Sequence, residues 1–247
     1  MSIWGKVIGG VAGFALGGPL GAILGSAFGH AIDRSKTQRR LKQGPVSIQT
    51  RQTAFTVGVI VLSAKMAKAD GMVTRDEVNT FKKVFNIPPD EMHEVGLLFD
   101  QARRDAEGYE PYAGQIGELF AHDPVVLENL LGGLFQIALS DGFVHPKELA
   151  YLNNVSRELG LDRATFERIR AAHMVGEQIN PYEVLGVTQK ATSEEVKKAY
   201  RNLTRENHPD TLIAQGMPQE FVEVANEKMA KINTAYASIQ KQRSLSE

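Results

Sequence analysis

From Val7 to Ile32 the chain carries no Lys, Arg, Asp or Glu, and glycine recurs at positions 5, 9, 13, 17, 21, 25 and 29. These 26 uncharged residues are enough to cross a hydrocarbon core about 30 Å thick. On a helix, a step of four draws one slowly drifting stripe. A stripe without side chains admits a second backbone at close range, the packing that joins helices in lipid. In water each such glycine costs a helix about 1 kcal/mol relative to Ala. The pattern predicts a transmembrane helix over residues 1–33, with Gly9, Gly13, Gly17, Gly21 and Gly25 as the face on which two copies pair. Two other readings stay open. Gly17-Gly18-Pro19 can break the segment into a re-entrant hairpin, and Lys6 with the small residues of Ser26–Ala31 fits a cleavable signal. Arg34, Lys36, Arg39, Arg40 and Lys42 follow at once, offset only by Asp33, and such a cluster stays cytoplasmic. That places the short N-terminus outside the membrane and the bulk of the chain within the cytoplasm, with Trp4 in the interfacial belt.

Beyond this segment the composition is that of a globular protein. Apolar residues make up 43% of the 247 and charged residues 23%, which excludes wholesale disorder. The net charge of −1 provides no chain-wide basic field to hold nucleic acid. Cysteine is absent, which excludes disulfides, thiol nucleophiles and thiolate metal sites. Residues 34–50 are basic and polar, broken at Gly44-Pro45, and read as a linker. Past it, Phe55, Val59, Leu62 and Met66 return at helical spacing. Strand-like alternation is scarce throughout, so the expected class is all-α.

The next stretch repeats itself. AKADGMVTRDEV (67–78) parallels ALSDGFVHPKEL (138–149), with Asp70, Gly71, Val73 and Glu77 matched by Asp141, Gly142, Val144 and Glu148 at an offset of 71. Each copy ends one helix, turns at Asp-Gly and starts another. One reading is structural: glycine takes the left-handed position past a helix end, Thr74 to Glu77 spells a capping box, and Pro146 suits a first helical position. The other is that the two turns face each other, so that Asp70, Glu77, Asp141 and Glu148 converge on a divalent cation.

The C-terminal stretch NPYEVLGVTQKATSEEVKKAYRNLTRENHPD (180–210) carries the most specific pattern. Asn180-Pro181 opens a short helix, and Ser193 is placed to cap the next, with Glu194 and Glu195 in its first turn. Val196, Ala199, Tyr200 and Leu203 form one apolar face, while Lys197, Arg201 and Arg205 step by four along another beside Lys198. The helix must stop before Pro209. Phe221, Ala225, Met229, Ile232, Tyr236 and Ile239 make a second stripe, predicting an antiparallel helical hairpin with His208-Pro209-Asp210 at its exposed tip.

These motifs resemble known families. The paired Asp-Gly…Glu turns resemble the TerB-like helical domain, here residues 51–175. The order P-Y-x-x-L-G-V, E-E-V-K-K-A-Y-R-x-L, H-P-D and I-N-x-A-Y closely resembles the J domain of DnaJ-type co-chaperones, here residues 180–247. Together with the glycine-striped segment beginning Trp4-Gly5-Lys6, the three parts resemble the DjlA family of bacterial inner-membrane co-chaperones. The J-domain resemblance implies a DnaK-type chaperone ATPase as partner. It assigns docking and stimulation of that ATPase to His208, Pro209 and Asp210, and to the basic face of Lys197, Lys198, Arg201 and Arg205. Thr211 stands where the family often has a basic residue, and Glu206-Asn207 where a basic-aromatic pair is frequent. The expected function is a membrane-anchored co-chaperone, dimeric through its N-terminal span, which is not itself an enzyme and requires no cofactor. The alternative is a membrane scaffold or a metal-ion-binding stress-response protein acting through the TerB-like domain.

Overall fold

The computed structural model describes residues 17–27, 47–70, 75–105, 108–173 and 180–244. All regular structure among them is helical. The helices are α1 (Gly18–Ala27), α2 (Ile48–Asp70), α3 (Arg75–Val84), α4 (Met92–Arg104), α5 (Glu110–Leu119), α6 (Pro124–Ala138), α7 (Pro146–Glu158), α8 (Arg163–His173), α9 (Pro181–Val184), α10 (Ser193–Glu206), α11 (Pro209–Ala214) and α12 (Val222–Ser244). The all-α expectation holds.

Helix α2 is the spine of the middle bundle, with α1, α4, α5, α6 and α7 packed around it. Every residue from 53 to 67 is buried. The sequence periodicity predicts one apolar stripe, but the helix is enclosed on all sides, so its polar residues need internal partners. Thr53 and Thr56 donate back to the carbonyls of Gln49 and Gln52 at 3.0 and 2.9 Å. Lys65, 5% exposed, reaches Asp105 at 2.9 Å, and Tyr112 donates to the same carboxylate oxygen at 2.7 Å.

The N-terminal segment departs from the sequence expectation. Among the described residues no helix is long and apolar enough to cross a membrane. Gly17 and Gly18 both take φ +56°, so no continuous α-helix runs through them. Pro19 disfavours right-handed helix at the residue before it, and glycine accepts the left-handed alternative without a Cβ clash. Helix α1 then runs for ten residues and buries Leu20, Ile23 and Leu24 in the bundle core. Gln115 clamps its start, accepting from the Leu20 amide at 2.9 Å and donating to the Gly17 carbonyl at 3.1 Å. A side chain at Gly18 would lie 2.9 Å from the Gln115 amide oxygen. Of the glycine stripe, Gly17 and Gly21 lie in this helix start, joined by an amide-to-carbonyl bond of 2.9 Å, and Gly25 contributes backbone only. Gly9 and Gly13 lie outside the described residues.

The C-terminal hairpin has its own small core of Val184, Leu185, Val196, Ile232, Ala235 and Ile239. The first part of α12 belongs elsewhere. Leu212, Met217, Phe221, Val224 and Ala225 enter the core of the middle bundle. The Phe221 ring meets Phe55 at 4.8 Å edge-on and Phe85 at 4.9 Å. The single stripe read along Phe221 to Ile239 is therefore divided between two cores.

His173, at the end of α8, stacks on Phe135 with ring centroids 5.4 Å apart, and its Nδ1 lies 2.8 Å from the Ile169 carbonyl. Burial, reinforced by the positive charge of Lys231, pushes its pKa from the usual 6.5 to about 3. The folded protein thus holds a neutral imidazole that the unfolded chain protonates below pH 6.5. Stability is full above that pH and falls as pH drops toward 3. Between pH 7 and 5 this group alone removes about 2 kcal/mol. Chemical denaturation at the two pH values should show that loss, and His173→Phe should abolish most of it. An unchanged slope in the variant would assign the acid sensitivity elsewhere.

Candidate functional site

The predicted tip is a helix start. Asn207 ends α10 and His208 is the N-cap of α11, with φ −62° and ψ 131°. Its Nδ1 accepts from the Asp210 amide at 3.2 Å, which places the neutral ring's proton on Nε2. Pro209 takes the first helical position, where its missing N–H costs nothing and its fixed φ suits the helix. The Asp210 carboxylate lies 3.8 Å from His208 Nδ1. The side chains of His208 and Asp210 are 57% and 89% exposed, so no neighbouring segment among the described residues covers them.

Helix α10 starts one residue earlier than expected: Thr192, not Ser193, is its cap. The Thr192 hydroxyl accepts from the Glu195 amide at 3.2 Å, and Glu195 accepts from the Thr192 amide at 2.7 Å, completing a capping box. Ser193 instead accepts from Arg243 at 3.0 Å. Along the helix, Val196 is buried while Tyr200 stacks flat on Tyr236 at 4.1 Å. This orients the opposite side outward. Lys197, Lys198, Arg201 and Arg205 are all exposed, and none is in an ion pair among the described residues. The structure thus brings the exposed triplet to the end of a helix with a row of four exposed cations that form no ion pair among the described residues.

The anchor of that triplet was not foreseen. Asn207, which stands where the J-domain pattern often has an aromatic residue, is fully buried. Its side chain donates to the Leu203 carbonyl at 2.9 Å and accepts from Asn129 of α6 at 3.4 Å. On the other side, Arg51 donates to the Gln215 carbonyl at 2.9 Å and the Leu119 carbonyl at 3.0 Å, and pairs with Asp123. Glu128 on α6 joins the two domains with both oxygens: Arg168 lies at 2.6 Å from one and Lys228 of α12 at 2.7 Å from the other. Burial alone would raise the Glu128 carboxyl, but the two cations outweigh it and hold the pKa below the ordinary carboxylate range. A departure from the family pattern at Asn207 was the only sequence signal for this junction. Glu128, Arg168 and Lys228 lie on three separate helices and carry none.

Among the described residues no three His, Asp or Glu side chains group together, and of the four expected carboxylates these residues include those of Asp141 and Glu148 alone. Asp141 is exposed, accepts from the Phe143 amide at 3.4 Å and lies 3.4 Å from His145. Glu148 is buried and accepts from the His145 amide at 2.9 Å, capping α7. The side chains of Asp70 and Glu77 lie outside the described residues.

The helical hairpin with its exposed His-Pro-Asp helix start places the chain among the J-domain proteins. The family comparisons refine this. The model for the TerB tellurite resistance protein matches residues 56–171, that for the transmembrane domain of the co-chaperone DjlA residues 1–42, and that for the DnaJ domain residues 180–245. Over its whole length the chain is similar to the co-chaperone proteins DjlA of Vibrio cholerae (33% identity; 99% of this chain, 100% of that protein) and Shewanella oneidensis (33%; 99% and 100%). That of Photobacterium profundum is 30% identical, over 98% of this chain and 99% of its own. The chain belongs to the DjlA family of J-domain co-chaperones. No solved structure matches it.

Removing the Glu128 carboxylate leaves Arg168 and Lys228 facing each other without their common partner. Glu128→Ala should therefore lower stability by about 3–5 kcal/mol in urea unfolding. Because the carboxyl pKa is depressed, its contribution is present above about pH 4.5 and is lost as pH falls through the folded value. A variant within 1 kcal/mol of the parent would show the junction to be held by apolar packing alone.

Proposed function

We propose that the protein is a membrane-anchored activator of a DnaK-type chaperone ATPase, with His208, Pro209 and Asp210 as the stimulating contact. The single observation that carries this reading is the exposed triplet capping α11 at the end of a basic helix face. Pro209 stiffens the presenting backbone. Asp210 can accept charge-assisted bonds from a partner arginine. Lys197, Lys198, Arg201 and Arg205 attract an acidic groove, speeding encounter and setting orientation more than adding affinity. Contacts made with only one conformer of the partner shift its population toward hydrolysis. No chemistry is required of this chain.

The N-terminal segment holds this machinery at the bacterial inner membrane. The match of residues 1–42 to the transmembrane domain of the co-chaperone DjlA supports the anchoring, and the basic cluster after Asp33 supports a cytoplasmic location for the J domain. Pairing of two chains through the glycine stripe belongs to the same reading.

The test is steady-state ATP hydrolysis by a DnaK-type chaperone with the full chain in phospholipid vesicles. The rate should rise severalfold, and His208→Gln should remove the rise while leaving the fold intact by circular dichroism. Arg201→Glu should weaken the stimulation most at low salt, where screening is least. Equal stimulation by the parent and His208→Gln, or none by either, would overturn the reading.

A further inference from the structure

The middle bundle contains a cavity of about 260 Å³ that the co-chaperone reading does not use. It lies between α2, α3, α4 and α6, and its walls are formed chiefly by Met66, Phe81, Met92, Phe99 and Ile137. The volume exceeds the roughly 150 Å³ of an engineered cavity that takes up benzene, and is just below the range of drug-sized sites. It accommodates one or two fused rings.

Ser63 on α2 lines the cavity. It is 3% exposed, and its hydroxyl has no hydrogen-bond partner. The contrast with its neighbours is informative. Thr53 and Thr56, on the same helix, satisfy their hydroxyls on the carbonyls four residues back. The Ser63 hydroxyl does not, and an unmade bond on a buried group is unfavourable. Water is a poor remedy, because a buried water needs two to four polar partners and the apolar walls around Ser63 supply few.

We propose that this cavity is a binding site for a small, neutral aromatic molecule with a single hydrogen-bonding group, which engages the Ser63 hydroxyl. The walls suit a flat ring. Phe81 and Phe99 stand edge-to-face at 5.8 Å, and the Met66 and Met92 sulfurs favour aromatic edges. The two charged side chains lining the site, Lys82 and Asp100, are of opposite sign, so the lining carries no net charge and suits a neutral ligand.

Indole is a suitable probe, and indene, of the same shape without the N–H, is its control. The full chain is placed in phosphatidylcholine discs with its methionine methyl groups labelled with ¹³C. Indole should shift the Met66 and Met92 signals saturably and leave Met217 and Met229, which lie outside the cavity, unmoved. Indole should bind about tenfold more tightly than indene, and Ser63→Ala should remove that advantage while leaving indene affinity unchanged. Shifts that rise linearly without saturation, or that appear equally at all four methionines, would indicate partitioning into lipid and overturn the proposal. Equal affinities for indole and indene in the parent protein would also overturn it, whether or not the Ser63→Ala variant folds.

Discussion

Phe221 is where the two folded parts become one. Its ring sits between Phe55 of α2 and Phe85 beyond α3, so a residue of the C-terminal hairpin completes the core of the middle bundle. A large aromatic buried this way contributes several kcal/mol, and its truncation leaves a cavity that neighbours cannot fill. Leu212, Met217, Val224 and Ala225 extend the same contact. The placement of the triplet against the middle bundle depends on this shared core.

The polar contacts at the junction sharpen the apolar ones. Glu128 engages cations from α8 and α12 at once, and Asn129 meets Asn207 beside it. Such buried charges add little net stability over a well-packed apolar alternative. They do, however, penalise any arrangement that leaves one of them unpaired. The tip is therefore held rigidly at its base, through Asn207 and Gln215, while His208 and Asp210 remain open to solvent.

Legibility varied by the kind of signal. The hairpin was readable because its cues are local: a basic step of four, an apolar face, a proline that stops the helix, and the His-Pro-Asp order. The cap falls one residue before Ser193, since Thr192 and Ser193 are both good caps and only the reciprocal bond with Glu195 selects between them. The glycine stripe suggested one unbroken helix and Gly17-Gly18-Pro19 a break in it; the break is present, while the seating of α1 on the bundle depends on Gln115, 95 residues away from Leu20, and was not legible. In the second Asp-Gly turn, Glu148 caps α7 by accepting from the His145 amide.

What the sequence determined by itself is the all-helical class, the order of the parts and the His-Pro-Asp triplet at the end of a basic helix, because each is written in spacing over a few turns of one helix or in a short motif. What only the tertiary structure decided is which apolar residues share a core, which ions meet, and that a cavity remains beside Ser63. Those outcomes depend on the packing of helices far apart in the chain, where burial free energy is gained by any apolar face and only shape selects the partner.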